Sequence, residues 1–395
     1  MLYRNSKSKV LYAAVAAALA SSGASAANWE IAPRIEGGYR YSDNYRLDLP
    51  GGEIDVSGAE SDVAVAFRTV HPRTNFSVTP RIRSTYFPDE RDEDSNDYFL
   101  AAELSDVTPR SRLSVRADAS REDVVRSELE SADVEGDLGD PDALGAGRIV
   151  ERNRRDLFRF LPSYSYDLSQ RLRMELAGDY MDAQYDRTSI GGQQDYRQYS
   201  VSGGLGILTS QRTSWMFRVV GTHYDTVRDA DAIGGEVEWG RDFSETSRVY
   251  VRLGGQRTEP DRGASDTNFI AGIGGRWSSP RNHFFLDLTR SINANSTGTV
   301  VERHQLRLRL EHDVSPTVAV LVGIRALRDE AVEEISSYPT REYAAAQTGI
   351  EWRWNRSLSL RATYDYRWQE YDDEPSDASS NAFLLSVVYE PKRPE

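Results

Sequence analysis

Period-two alternation dominates this sequence and leaves few folds open to it. In "WEIAPRIEGGYRYSDN" (29–44), Trp29, Ile31, Pro33, Ile35, Gly37, Tyr39 and Tyr41 alternate with Glu30, Ala32, Arg34, Glu36, Gly38 and Arg40. Near the other end, Leu358, Leu360, Ala362, Tyr364, Tyr366 and Trp368 alternate with Ser359, Arg361, Thr363, Asp365 and Arg367. Strict alternation puts one residue set on each face of a β-sheet. Eighteen such blocks follow one another, centred near 29–41, 61–70, 74–86, 97–105, 111–121, 155–166, 171–183, 196–208, 211–223, 233–243, 247–257, 267–277, 282–290, 300–312, 316–327, 341–354, 357–368 and 381–390. No segment sustains the i, i+3, i+4 apolar spacing of an amphipathic helix, so no helix of consequence is expected to cover the apolar face.

The connections decide what that face meets. After even-numbered blocks they are short: "VHPRT", "DVTPR", "YDLSQ", "LTSQ", "DFSET", "SSPRN", "HDVSPT" and "WNRS". After odd-numbered blocks they are longer, polar and acidic: 42–60, 87–96, 122–154, 184–195, 224–232, 258–266, 291–299, 328–340 and 369–380. A soluble sandwich has no reason to alternate in this way without a slip. An outer-membrane barrel has one, because its periplasmic turns are short and its extracellular loops long. The expected fold is therefore all-β: one transmembrane antiparallel β-barrel of about eighteen strands over residues 27–395, in the bacterial outer membrane. In hydrocarbon every backbone polar group must be paired, so such a sheet must close on itself. Pro33, Pro80 and Pro162 are expected near strand ends or bulges, where a missing N–H costs least.

Composition agrees. Arg4, Lys7 and Lys9, the apolar "VLYAAVAAALA" (10–20) and "ASA" (24–26) form a secretory leader over residues 1–26. No later stretch is apolar for the 18 residues a membrane helix needs. Tyr39, Tyr41, Tyr86, Tyr180, Trp352, Trp354 and Trp368 fall on the apolar face near block ends, where interfacial aromatics collect. The chain carries no cysteine, which excludes disulfides, thiol catalysis and thiolate metal sites. Its formal charge of −14 argues against nucleic acid as a partner.

The opposite face becomes the lumen. Its solute-facing candidates are Arg34, Arg40, Arg81, Arg83, Arg116, Arg159, Arg173, Arg218, Arg252, Arg307, Arg309, Arg325, Arg361 and Arg367. Glu36, Glu175, Asp179, Glu236, Glu238, Asp287, Glu311 and Glu351 share that face. So much charge suits a water-filled interior, which a barrel of roughly 16–18 strands is wide enough to hold. Beyond the leader every basic residue except Lys392 is arginine, the side chain that grips carboxylate and phosphate bidentately. The set either guides anionic or polyhydroxyl solutes or pairs with neighbouring lumen acids and stiffens the wall.

The third long connection is the largest. Glu128, Glu130, Asp133, Glu135 and Asp137 are its candidates for a constriction, a lid or a solvated flap. In position and charge it resembles the inward-folded third loop of trimeric diffusion porins. "DVEGDLGDPD" (133–142) lacks the ligand spacing of a calcium loop, so no metal or cofactor is expected. The five histidines include His223, placed by height near the outer rim, but the sequence sets no serine or acid beside it. Without a second element no catalytic site is expected.

"EGGYRYSDNYRLDLPGGEIDVSG" (36–58) and "SVTPRIRSTYFPDE" (77–90) together resemble the start of an outer-membrane β-barrel porin family. Its members open on a Gly-Tyr strand, an S/T-D-N corner and a second long strand running from Pro to Tyr. Some belong to exopolysaccharide export systems or accompany exosortase loci. The resemblance implies a channel for passive translocation, with a secreted polysaccharide or an anionic or polyhydroxyl solute as cargo. The implied partners are outer-membrane lipid, lipopolysaccharide, the barrel-assembly machinery and polysaccharide-export components. Phe383, Leu385, Val387 and Tyr389 fit a C-terminal assembly signal. The alternatives are a non-conducting barrel that scaffolds an envelope complex and an outer-membrane lipid-modifying enzyme.

Overall fold

A computed structural model of the chain describes residues 28–129, 152–188, 192–261, 265–332 and 338–391. The leader over 1–26 lies outside them.

Eighteen antiparallel strands form one closed sheet. The first nine are β1 (Asn28–Ser42), β2 (Val56–Val70), β3 (Thr74–Tyr86), β4 (Ser95–Val107), β5 (Ser111–Asp123), β6 (Arg154–Asp167), β7 (Leu172–Tyr185), β8 (Tyr196–Ser210) and β9 (Thr213–Asp225). The rest are β10 (Ala230–Ser244), β11 (Ser247–Pro260), β12 (Asp266–Ser278), β13 (Asn282–Ala294), β14 (Val300–Ser315), β15 (Val318–Ala331), β16 (Arg341–Arg353), β17 (Leu358–Tyr371) and β18 (Ala378–Tyr389). Each strand pairs with its sequence neighbours, and β1 pairs with β18 from Ile35↔Tyr389 to Ser42↔Ala382. That last pairing removes both sheet edges, as a lipid-facing sheet requires.

Exposure alternates as the sequence does. Trp29, Ile31, Ile35, Tyr39 and Tyr41 of β1 lie outward and exposed, as do Phe383, Leu385, Val387 and Tyr389 of β18. Arg34, Glu36 and Arg40 lie on the opposite face. Six of the seven tryptophans (Trp29, Trp215, Trp239, Trp277, Trp352 and Trp354) fall toward the end of the barrel that carries the short turns, Trp239 standing opposite Trp215 and the others in or beside the first or last three residues of their strands. Tyr39, Tyr41, Tyr86, Tyr98, Tyr180, Tyr199 and Trp368 mark the opposite end. An apolar outer band between two aromatic girdles is the signature of a bilayer-spanning barrel. The chain is a transmembrane β-barrel of the outer-membrane type.

Two details differ from expectation. Several strands continue into segments expected to be loops: β2 begins at Val56, and β9 and β10 leave only residues 226–229 between them. Apolar alternation ends where lipid ends, whereas backbone pairing continues above it. Pro33, Pro80 and Pro162 also sit inside strands rather than near strand ends; on one side of Pro80 and of Pro162 two ladder pairs are missing and the register then resumes unchanged, where a residue without an N–H cannot donate.

Candidate functional site

A short helix enters the lumen from the third long connection. The sequence "DVVRSEL" forms α1 (Val124–Leu129), with Asp123 as its cap. Asp123 Oδ1 accepts the Val125 N–H at 2.9 Å, and the Asp123 N–H is held by Asp97 Oδ1 of β4 at 2.9 Å. An aspartate at this place satisfies a donor that the first helical turn leaves free. All six residues of α1 are buried, which is possible only inside the barrel.

Two apolar clusters seat the helix. Val124 packs with Met181, Ala183, Tyr185, Tyr196, Tyr224 and Ala232 on β7 to β10, and with Ile292, Ala294 and Val300 on β13 and β14. Val125 and Leu129 pack with Tyr45 and Leu47 of the first outer connection, Phe87 of the second, and Leu327 and Tyr343 of β15 and β16. One helical turn therefore bridges opposite walls of the barrel. Polar contacts fix its register. The Tyr343 hydroxyl donates to the Leu129 carbonyl at 3.1 Å. Glu128 accepts from Tyr185 at 3.3 Å and from Ser296, in the connection after β13, at 2.8 Å. Arg126 lies 3.3 Å from Asp97 and 3.7 Å from Glu60.

The outer end of the lumen is thus a packed core, not the wet interior expected from the charged face. Burial holds the Asp48 carboxyl in the first outer connection above its ordinary range, against the pull of Arg46. Burial likewise raises the Tyr338 phenol well above its usual value.

Below α1 the lumen opens into a cavity of about 610 Å³, bounded by Leu129 of the helix and by β1 to β3 and β14 to β18. Of the fourteen candidate arginines, Arg34, Arg40, Arg81, Arg83, Arg309, Arg325, Arg361 and Arg367 line it, together with Glu36, Glu60, Asp62, Glu311, Glu351 and Asp365. Arg116, Arg159, Arg173, Arg218, Arg252 and Arg307 share the lumen parity but do not line this cavity.

Most of the set is ion-paired. Arg34 meets Glu36 at 2.6 Å, Arg40 meets Glu60 at 2.6 Å, and Asp62 joins Arg81 at 2.5 Å and Arg83 at 3.1 Å. Arg361 reaches Glu351 at 3.0 Å and Glu36 at 3.8 Å, so a charge chain crosses the β18–β1 closure. On the facing wall, Arg159 pairs with Asp179 at 2.7 Å, and Arg218 sits among Glu175, Glu236 and Glu238 at 3.0–3.4 Å. Arg252 reaches Glu238 at 3.0 Å. Arg307 and Asp287 pair at 2.6 Å with almost no exposure, and the Tyr250 hydroxyl also donates to Asp287. Nearer the periplasmic end, Arg116 pairs with Asp118 at 2.8 Å and Arg173 with Asp167 at 2.7 Å. Arg309 comes within 3.9 Å of Glu311.

Of the constriction candidates, Glu128 is in α1, whereas Glu130, Asp133, Glu135 and Asp137 lie outside the described residues, as does the 133–142 segment. The sequence reading missed α1 itself, because six residues cannot show a helical period. It also missed Tyr185, Tyr196, Tyr224 and Tyr343, which point inward from strand tops. A signal was available: Tyr224 stands between His223 and Asp225, and Tyr343 follows Glu342, so apolar and polar faces have exchanged there. The structure also supplies the acid that the sequence did not set beside His223. Asp231 Oδ1 is 2.8 Å from its Nδ1 on the outer surface, with the Tyr199 ring 6.1 Å away on the other side.

No family model and no curated protein matches the chain. Among solved structures it is similar to OpdO of Pseudomonas aeruginosa, at 11% identity and a TM-score of 0.49, covering 92% of this chain and 97% of that one. It is similar to P. aeruginosa OccK2 (OpdF) in complex with glucuronate, at 9% identity and a TM-score of 0.47, covering 92% and 98%. OccAB1 of Acinetobacter baumannii is similar at 9% identity and a TM-score of 0.45, covering 92% and 96%.

Proposed function

We propose that the chain is a passive outer-membrane channel for small anionic or polyhydroxyl solutes, with the cavity beneath α1 as its solute site and α1 as its narrowest point. The observation that carries this reading is the cavity itself: about 610 Å³, lined by eight arginines against six carboxylates. Its volume is that of a small-molecule site. Its arginines present planar donors to a carboxylate, and a closed wall keeps the solute from lipid. Because Arg34, Arg40, Arg81, Arg83, Arg309 and Arg361 already hold or neighbour a carboxylate, an incoming anion would exchange with a wall partner rather than bind a bare charge. This favours weak, multi-site contact, which conduction needs. Export of an extended polysaccharide, which the N-terminal resemblance implies for some relatives, would require α1 to leave the lumen. Small solutes need only the space beside it.

Planar-bilayer recording tests the reading. Ion-conducting steps with anion-biased reversal potentials are expected, together with stronger block of the current by glucuronate than by glucose. Equal block by both would remove the arginines from selectivity. The packed outer end favours one other reading, a non-conducting barrel that scaffolds an envelope assembly. Silence at every voltage would support that instead.

A further inference from the structure

The arginines at the periplasmic rim differ from those in the lumen in both placement and pairing. Arg73, Arg110, Arg171, Arg212 and Arg281 each end a short turn, one residue before or at the start of the next strand. Their backbone carbonyls accept the N–H of Val107, Asp167, Leu208, Asp242 and Asp313 on the neighbouring hairpin at 2.7–3.0 Å. They therefore occupy one equivalent position around the barrel. Thr246, Thr317 and Ser357 fill the same position on the other three turns, and Arg356 stands directly before Ser357. All six arginines are exposed. Among the described residues no salt bridge reaches Arg110, Arg171, Arg212, Arg281 or Arg356, whereas Arg73 meets Asp106 at 2.8 Å. Only one acid, Glu245, lies in the turns themselves, while the second outer connection alone carries Asp89, Glu90, Asp92, Glu93 and Asp94.

We infer that this rim is an anionic-phospholipid site, a ring of guanidinium groups that binds phosphodiester headgroups of the inner leaflet. Three observations favour lipid over a soluble or cell-wall anion. The turns are only two to four residues long, from two at 211–212, 245–246 and 316–317 to four at 168–171 and 354–357, so the arginines cannot project far from the bilayer. Trp215, Trp277 and Trp354 stand within four residues of Arg212, Arg281 and Arg356 in sequence. Tryptophan marks the hydrocarbon boundary, which places the arginines at headgroup depth. The arginines also follow the perimeter, as annular lipid does. A basic residue at that depth attracts anionic headgroups, and salt screens the attraction.

The test uses the full-length barrel reconstituted in mixtures of brominated and unbrominated lipid, with tryptophan quenching as the readout. Most of the tryptophans report from the periplasmic girdle. The wild type is expected to select brominated phosphatidylglycerol over brominated phosphatidylcholine, on the order of severalfold at low salt and less at high salt. Changing Arg110, Arg171, Arg212, Arg281 and Arg356 together to Gln should equalise the two lipids, and changing them to Lys should keep the preference. Gel mobility without heating confirms that each variant is folded. Should the fivefold variant not fold, Arg110→Gln with Arg171→Gln, on adjacent hairpins, should lower the preference partway. Equal quenching by both lipids in the wild type would overturn the inference, as would a preference that survives the Gln variant. So would binding to peptidoglycan sacculi that is lost in the Gln variant while lipid preference is absent.

Discussion

Strand β7 shows the two regimes of this barrel within fourteen residues. At membrane depth Leu172, Met174 and Leu176 face outward, and Arg173 and Glu175 face inward. At the outer rim Asp182 and Gln184 face outward, and Met181, Ala183 and Tyr185 are buried inside. Strand β14 repeats the exchange. Leu306 and Leu308 lie outside Arg307, but higher up Glu302 and His304 lie outside Val301, which is fully buried. The alternation is unbroken while its polarity reverses. Below the boundary the outer solvent is lipid and the interior takes charge. Above it the outer solvent is water, and the interior closes around α1 as two apolar clusters with buried ion pairs among them, such as Arg303 with Asp329 at 2.5 Å and Arg155 with Glu122 at 2.8 Å. The outer surface of this upper zone is laced with ion pairs, including Arg121 with Asp156 and Asp186 at 2.8 Å each, and Arg328 with Glu330 at 2.6 Å. Such exposed pairs stabilise little, so the upper zone rests on its buried core.

The sharpest way to break the contrast is to remove the plug. Val125→Asp with Leu129→Asp sets two carboxylates into the cluster formed by Tyr45, Phe87, Leu327 and Tyr343. Burying unpaired charge there costs several kcal/mol, more than a six-residue helix can recover. The barrel wall should persist because its pairing does not pass through α1. Single-channel conductance is expected to rise severalfold with the folded-barrel gel mobility unchanged. A conductance equal to the wild type would show that α1 does not limit flow.

The sequence disclosed the first regime almost completely and the second hardly at all. Lipid imposes one rule on every second residue, and all eighteen alternating blocks correspond to strands; β3 begins and ends where its block does, at Thr74 and Tyr86. The lumen arginines were assigned by the same rule, since a face is fixed once its partner face is known. Pairing is different. That Arg361 reaches Glu36 across the closure depends on β18 meeting β1, a contact between residues more than three hundred positions apart. Likewise α1 is stabilised by eight or more separate strands and connections, and its own six residues carry too little periodicity to declare a helix. The reversal of polarity at Tyr185 and Tyr224 is visible letter by letter, but only α1 gives those rings something to face.

Charge removal should next separate a dry stretch of the charged lumen from a wet one. Asp287→Ala leaves Arg307 and Tyr250 without their carboxylate in a site that is only 1–2% exposed. A loss of about 3–5 kcal/mol in folding stability is expected. Asp118→Ala breaks a pair whose side chains are 50% and 30% exposed, and there the loss should stay near 0–1 kcal/mol. Chemical unfolding from lipid vesicles measures both. Equal losses would mean that the lumen is uniformly wet.

The outer face gives a smaller and opposite contrast on a single strand. Leu308→Arg on β14 puts a charge into hydrocarbon and should cost about 2–4 kcal/mol. His304→Arg, four residues higher and beside Glu302 at 2.8 Å, should cost about 0–1 kcal/mol. The difference between the two, read in the same unfolding assay, locates the boundary at which polarity reverses. Similar costs at both positions would place His304 in lipid and move that boundary upward.

The finest test touches only one hydroxyl. Tyr343→Phe keeps the ring that packs on Val125 and Leu129 but removes the bond to the Leu129 carbonyl at 3.1 Å. A single neutral hydrogen bond contributes about 1 kcal/mol, which amounts to about a fivefold shift in any equilibrium in which α1 leaves its seat. Tyr185→Phe removes a longer contact to Glu128, at 3.3 Å, and leaves Ser296 holding the same carboxylate at 2.8 Å. It should shift that equilibrium less. If α1 gates the lumen, the ratio of open to closed dwell times should rise in the order wild type, Tyr185→Phe, Tyr343→Phe. The reverse order would move the hold on α1 from the apolar wall of β15 and β16 to the facing wall at β7, where Tyr185 sits.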